Sequence, residues 1–514
     1  MLDLTLVIDI GKSHARLLMV DDAGQVQERH VRGNAPVMSP LGYAALDTEG
    51  LAQWITATVA ASPATRRCAR AIVSTHGAAL VALSDTGLAW APLDYEFDLG
   101  GPTLTPTSTP AASDPSSGTA SATALHAAYQ QLRDPFAATL APDLPVGLNA
   151  ARQLHWLQHT HPHAWAATRT LLPYPQYWAW WFCGVAATEV SSLGCHTQLW
   201  LPLKGQYSAM ALSQGWASLF APIRPAWDVL GTVRPEQAQA LGLPPVCEVH
   251  VGVHDSNACL ARYLNANRST DASARQTLVS SGTWTVVMAP NASSEALQAG
   301  QDMLCNVSVL GQPTPTARFM GGREFVTLLA GAPADAGTLQ DVHNLIQDGI
   351  MSVVEGGLPH PLAALPAGQR SALAALHCAQ MTAWLVCQLW PDDGPCAAAS
   401  ADSSTSGASP GQGQTHVLIV EGPLAANPLY LGLLKTLLPA CACSASTDAL
   451  EGTARGAWLL SRWPTHPELD LLRSIQTFEL PGLAAYQMEW LQRRQALGRE
   501  NFRRYAITRF SDSP

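Results

Sequence analysis

Leu6-Val7-Ile8-Asp9-Ile10-Gly11-Lys12-Ser13 and a second stretch, Thr277-Leu278-Val279-Ser280-Ser281-Gly282-Thr283, decide how this chain is read. Each is an apolar run ending in a Gly-centred turn with a hydroxyl residue. Each is followed by an apolar return run, His14 to Val20 in the first case and up to Met288 in the second. Apolar runs of this length bounded by glycine read as strands, so each stretch is expected to form a β-hairpin. The two lie about half a chain apart and make a weak internal repeat. Two such turns facing each other across a cleft can grip a polyphosphate from both sides, because phosphate binds where backbone N–H groups converge and no side chain blocks approach.

The residues in and around these turns suit phosphoryl transfer. Gly11 and Gly282 give access, and Ser13 and Thr283 add hydroxyl donors. Asp9, at the end of a buried strand, can hold Mg²⁺ through water. Lys12 and Arg16 can neutralise transferring charge. Taken alone, either hairpin also fits an ordinary turn with Gly for its backbone freedom. Asp255 falls between an expected strand, Val246 to Val253, and a helix from about Ser256 to Leu264. There it can accept the proton of an attacking hydroxyl or simply cap the helix. Its neighbour His254 can orient a substrate or pack. Asn427 and Pro428 make a good N-cap and first-turn pair, and Gly422 with that helix start can admit an adenine ring.

Elsewhere, Leu51 to Ala60 and Ala150 to His159 read as helices, as does much of Pro175 to Cys183. Ala71 to Thr75 and Ala79 to Leu83 read as strands. Pro102 to Ser121 and Ala401 to Thr415 are Pro/Ser/Thr/Ala/Gly-rich and read as surface insertions. Ser371 to Trp390 reads as a long amphipathic helix, Val417 to Val420 as a strand, Asn427 to Leu438 as a helix, and Thr447 to Ser461 as containing the last strong helix. His155, His159, His161 and His163 have metal-like spacing but no Cys or carboxylate in register, so they read as a solvated helix end and loop. Cys441-Ala442-Cys443 reads as a buried strand. No GxSxG elbow and no GxxxxGK[ST] loop is present, which disfavours serine hydrolases and Walker-type NTPases.

A chain of 514 residues is too long for one ordinary core, and two large domains are expected. Apolar residues make up 47% and charged residues 13%, the composition of a compact globular chain. The net charge is −10 with no Lys/Arg cluster, which argues against nucleic acid and against an anionic membrane surface. An anionic nucleotide must then be held by backbone donors, metal ions and single residues. The apolar stretches read as too short for a membrane span. The N-terminus carries Asp3, lacks a basic region and runs straight into a strand. With 11 scattered cysteines, this implies a cytoplasmic chain with reduced thiols.

Taken in order, the motifs resemble those of the FGGY carbohydrate kinases over nearly the whole chain. VIDIGKSHARLLMVD (Val7 to Asp21) resembles the family's first phosphate motif. NAARQLHWLQHTHP (Asn149 to Pro162) and LLPYPQYWAWWFCGVAATEVSSLGCHTQLW (Leu171 to Trp200) are similar to its central segment. VLGTVRPEQAQALGLPPVCEVHVGVHDSNACLA (Val229 to Ala261) is the most specific match. SSGTW (Ser280 to Trp284) resembles the second phosphate motif. VEGPLAANPLYLGLLKTLL (Val420 to Leu438) and DALEGTARGAWLL (Asp448 to Leu460) resemble the adenosine segment and final helix.

That resemblance implies an α/β fold of two actin-like (ribonuclease H-like) domains of the hexokinase/actin ATPase superfamily, about 1–250 and 251–514, closing over a cleft. Asp255 would be the catalytic base and Asp9 would sit near the metal. Gly11, Lys12, Ser13, Arg16, Ser281, Gly282 and Thr283 would surround the phosphates, with Gly422 and Asn427 at the nucleoside. The sugar would lie near His76, Gly77, Tyr95 and His254. ATP and Mg²⁺ are the implied cofactors, a small sugar the partner, and a homodimer an open assembly state.

His254-Asp255 and Ser281-Gly282-Thr283-Trp284 look more like L-rhamnulose and L-fuculose kinases than xylulose or glycerol kinases. A ketose phosphorylated at its C1 hydroxyl is therefore expected. A pentulose or polyol kinase, or a non-catalytic sugar or nucleotide sensor, are the alternatives. Three departures stand out. Pro92 to Asp98 lacks the Arg that many relatives carry there, Gln176 stands where many have Asp, and Glu421 replaces the first Gly of a G-G turn. GGREF (Gly321 to Phe325) adds an Arg-Glu pair expected to form a surface salt bridge, with the cleft as the other option.

Overall fold

The structure is a computed structural model and describes residues 2–99, 122–264, 275–352, 362–391, 416–448, 452–465 and 472–496. Both expected insertions, 102–121 and 401–415, lie outside these residues. Leu4–Ile10 and His14–Asp21 form the first hairpin, in antiparallel register from Leu4 opposite Asp21 to Ile10 opposite Ala15. Leu4–Ile10 also pairs in parallel with Cys68–Thr75. A seven-stranded sheet grows around this pair, adding Val26–Gly33 on one side and Glu248–His250 and Val229–Thr232 on the other. Gln276–Ser281 repeats the arrangement, antiparallel to Thr285–Met288 and parallel to His416–Glu421. It centres a second seven-stranded sheet. The internal repeat is thus one of topology as well as sequence.

Strand alternation sorts the side chains into layers. Leu4, Leu6, Ile8 and Ile10 pack with Leu51, Ile55, Trp178 and Phe182 in one core. Val7 points the other way, into a core shared with Ala258, Leu260, Trp458, Leu278 and Ile419. That shared core is the middle layer. The helices Asp255–Ala261 and Gly452–Leu460 lie between the two sheets. The far side of the second sheet is covered by the 23-residue helix Ala367–Leu389 and its neighbours. The expected division near residue 250 is softened by two elements. Val253–His254 still pairs with Cys68–Thr75 in the first sheet, and the Gly452–Leu460 helix packs with residues of both sheets.

Several expectations change. The strand read over 246–253 is two short strands, Glu248–His250 and Val253–His254. Gly252 interrupts them with φ +85°, where an added Cβ would lie 2.6 Å from Val73 O. The helix at 367–389 is buried on nearly all sides rather than amphipathic. It is long and apolar enough to cross a membrane, which the sequence reading missed, but 83% of its apolar window is buried inside the protein. His155 is buried, with Nε2 donating to Leu125 O at 3.2 Å, instead of lying in a solvated helix end. Nine described cysteines are free thiols, but Cys387 is disulfide-bonded, contrary to the expectation of uniformly reduced cysteines.

The two middle helices touch where Gly456 meets Ala258. A Cβ on Gly456 would lie 1.7 Å from Ala258 O, so no larger residue fits without moving a backbone. Gly456→Ala is expected to destabilise the fold by about 3 kcal/mol, the upper end of the range for overpacking. Urea unfolding of the variant against wild type measures it.

Candidate active site

Both hairpin turns open into one cavity of about 540 Å³, and Asp255 lines the same cavity. The glycine N–H groups close the turns themselves, Gly11 N donating to His14 O and Gly282 N to Trp284 O, each at 2.9 Å. The N–H groups of Lys12, Ser13 and Thr283 make no hydrogen bond among the described residues, so they are the donors available to a phosphate. The Gly321–Leu329 helix starts against the second turn. Gly322 N donates to Thr283 O at 3.2 Å, and a Cβ on Gly322 would lie 2.2 Å from Gly282 O. The two glycines of GGREF therefore let a helix abut the turn, a role the sequence reading missed.

His254 takes the N-cap position and Asp255 is the first helical residue. Asp255 Oδ1 accepts from Ser256 N at 2.6 Å and lies 3.1 Å from His254 Nε2. Asn257 Nδ2 donates to His254 Nδ1 at 3.1 Å. A ring nitrogen that accepts a hydrogen bond carries no proton, so the proton of neutral His254 sits on Nε2, which pairs with Cys195 Sγ at 3.2 Å and lies beside Asp255 Oδ1. Burial lowers the pKa of His254 and keeps it neutral, against the raising effect of Asp255. Oδ1 is thus held, and Oδ2 makes no hydrogen bond among the described residues. Gln176, buried behind this loop, donates from Nε2 to Val251 O at 3.3 Å and to Gly252 O at 3.0 Å. An ionised Asp there has no donor for those carbonyls, so the departure from the motif supports the strand break that precedes Asp255.

A cavity of about 1040 Å³ continues the first and shares Ser13, Ser281, Gly282, Thr283 and Arg323 with it. Phe325, Val326, Leu424 and Pro428 make this second part apolar, and Asn427 lines it while capping its helix by accepting from Tyr430 N at 2.9 Å. Ser281 points away from the opening. Its Oγ donates to Glu421 O at 2.6 Å and accepts from Leu424 N at 3.0 Å, locking the second turn to the Gly422 turn. Glu421 is buried and pairs with Arg262 and Tyr263, joining the strand end to the middle layer.

The comparisons bear on this geometry. The family model for the C-terminal domain of FGGY carbohydrate kinases matches residues 273–395. A carbohydrate kinase from Novosphingobium aromaticivorans superposes with TM-score 0.76 at 31% identity, covering 96% of this chain and 99% of that one. The chain belongs to the FGGY carbohydrate kinases. This kinase also shares its fold with a ligand-bound xylulose kinase from Lactobacillus acidophilus, TM-score 0.66 at 11% identity, over 96% of this chain and 98% of that one. A gluconate kinase from Lactobacillus acidophilus gives TM-score 0.65 at 12% identity, with coverage of 96% and 98%. No curated protein matches it in sequence. The two-sheet architecture is thus the actin-like ATPase fold.

In this kinase, His76, Gly77, Tyr95 and His254 all line the first cavity. His76 Nδ1 donates to Gly77 O at 2.9 Å, and its ring lies edge-on to Tyr95 with centroids 5.4 Å apart. Lys12 lines the cavity too, but its ammonium is paired with buried Asp94, lies 3.5 Å from Glu96, and sits 4.8 Å over the Tyr95 ring. In the segment that lacks the family's Arg, Lys12 supplies the cation. Arg16 lines the cavity and holds Asp9 at 3.0 Å, whereas Asp9 lies behind the wall. The Arg-Glu pair of GGREF splits, as neighbouring residues on a helix do. Arg323 reaches Glu96 at 3.3 Å across the cleft, while Glu324 turns inward to His377 at 2.7 Å instead of forming a surface bridge.

Among the described residues no group of three His, Cys, Asp or Glu could hold a metal ion. Asp9, the carboxylate expected near the metal, is paired with Arg16 and does not line the cavity. Ser281→Ala would leave Leu424 N and Glu421 O buried and unpaired. A loss of about 1–3 kcal/mol in unfolding free energy is expected from chemical denaturation, together with a weaker KM for ATP.

Proposed function

We propose that this kinase transfers the γ-phosphate of ATP to a primary hydroxyl of a small ketose, with Asp255 as general base. The observation that carries the reading is the meeting of Asp255 and both glycine turns in one cavity. Oδ1 is held by Ser256 N with the His254 ring 3.1 Å away, which leaves Oδ2 to accept the proton of the sugar hydroxyl. The sugar oxygen then attacks the γ-phosphorus, the bond to the β–γ bridging oxygen breaks, and ADP leaves with that oxygen. The N–H groups of Lys12, Ser13 and Thr283 bear on the phosphate oxygens, and the apolar second cavity takes the adenine. Asp9 would hold Mg²⁺ through water, and the ion when bound supplies charge neutralisation on the phosphates.

The acceptor favoured is a ketose phosphorylated at C1, L-fuculose or L-rhamnulose, on the strength of His254-Asp255 and Ser281-Gly282-Thr283-Trp284. A coupled ATP-consumption screen over hexuloses, pentuloses, gluconate and glycerol tests it. A chain that binds ATP and sugar but turns over none of them would be a sensor.

Asp255→Asn is expected to lower kcat by about 10²–10⁴ while leaving the Kd for ATP in place, since losing a base affects chemistry more than ground-state contacts. Turnover unchanged in that variant ends the assignment of the base. Asn257→Ala frees the His254 ring to take the other tautomer, and steady-state kinetics should show kcat about tenfold lower, the scale of losing one ordinary hydrogen bond.

A further inference from the structure

The first cavity reaches past Asp255 to a floor built largely by the second sheet. Arg318, on the strand Pro313–Phe319, lines it, is 7% exposed, and lays its guanidinium 4.6 Å over the Trp284 ring. Asn306, on Met303–Val307, lines it at 3% exposure, and its Oδ1 has no hydrogen-bond partner. Its Nδ2 is spent on Thr316 Oγ1 at 3.3 Å. His196 enters from the first lobe on left-handed backbone, φ 40°. Its Nδ1 donates to Leu148 O at 2.8 Å, which leaves Nε2 as an acceptor. Burial, then the fields of Arg318 and His254, hold His196 down at about 3, so it is neutral at working pH.

We propose that Arg318, Asn306 and His196 form the subsite for the acceptor's remote hydroxyls, with the recognising guanidinium supplied by the second lobe rather than by the segment around Tyr95. This rests on the kinase reading above and names the chemistry of the acceptor's far end. Asn306 Oδ1 and His196 Nε2 need donors, whereas Arg318 only donates. Neutral hydroxyls suit this floor, because each can donate to such an acceptor and also accept from a guanidinium. An ionised carboxylate placed there only accepts and gives neither Asn306 Oδ1 nor His196 Nε2 a donor. The matched ligand is therefore a polyhydroxy ketone with free hydroxyls beyond the reacting end. A three-carbon polyol has only two hydroxyls beyond the reacting one, both close to it, and is too short to fill the floor. Because Arg318 stands on the second sheet and His196 comes from the first lobe, filling this floor also draws the lobes together over the acceptor.

The test measures kcat and KM for wild type, Arg318→Lys and Asn306→Ala with the best ketose of the screen, gluconate and glycerol as acceptors. Both variants are expected to raise the ketose KM about tenfold, the scale of one lost hydrogen bond to a charged or orphaned group. The KM for ATP should hold, and the preference for ketose over glycerol should collapse by the same factor. Wild type should favour the ketose over gluconate. Thermal unfolding checks each variant, and the wild-type preferences stand even where a variant does not fold. A ketose phosphorylated with unchanged KM by folded Arg318→Lys, or a wild-type preference for gluconate or glycerol, overturns the subsite alone. Phosphorylation of no acceptor overturns both the subsite and the kinase reading beneath it.

Discussion

The crossing of the helices Asp255–Ala261 and Gly452–Leu460 is the constraint on which the site depends. The absence of a side chain at Gly456 lets the second helix come down on Ala258 O. Both helices then fill the single layer between two seven-stranded sheets, and residues of both sheets join that core. Asp255 stands at the start of one of these helices. Its place relative to both hairpin turns is therefore set by middle-layer packing, which tolerates little change in volume.

The site handles charge locally. The chain carries a net charge of −10, so no bulk positive field draws in a nucleotide. Cations lining the cavity are instead paired with carboxylates. Lys12 is held by Asp94, Arg16 by Asp9, and Arg323 by Glu96. Such pairs keep each cation at the wall of the cleft, and a triphosphate with its metal would compete for them. In the proposed reaction the phosphate contacts would fall to backbone N–H groups, which carry no net charge and need no counter-ion.

Asp255 is oriented by a short relay that ends far from the reacting atoms. Asn257 sets the His254 tautomer, Cys195 holds the His254 ring beside Asp255, Ser256 occupies one carboxylate oxygen, and Gln176 supports the loop behind them. Cross-lobe contacts complete the cleft. Arg323 meets Glu96 over its mouth, and Arg318 faces His196 at its floor.

The sequence by itself determined the two hairpins, their half-chain spacing, most of the strands and helices, and the order of the motifs. These are legible because apolar periodicity and glycine placement are local signals. It also picked out Asp255 and the residues of both turns, since each sits at the end of such an element. Tertiary structure alone decided which of these groups face the cavity. The Ser281 hydroxyl and Asp9 turn away from it, Lys12 gains Asp94 as a partner, and the strand before Asp255 breaks at Gly252. Arg318 and Asn306 carry no local signature, and the role of Gln176, a departure visible in the sequence, depends on carbonyls distant in the chain. Which partner a buried donor or acceptor finds is fixed by the packing of the lobes, and no pattern within one strand or helix records it.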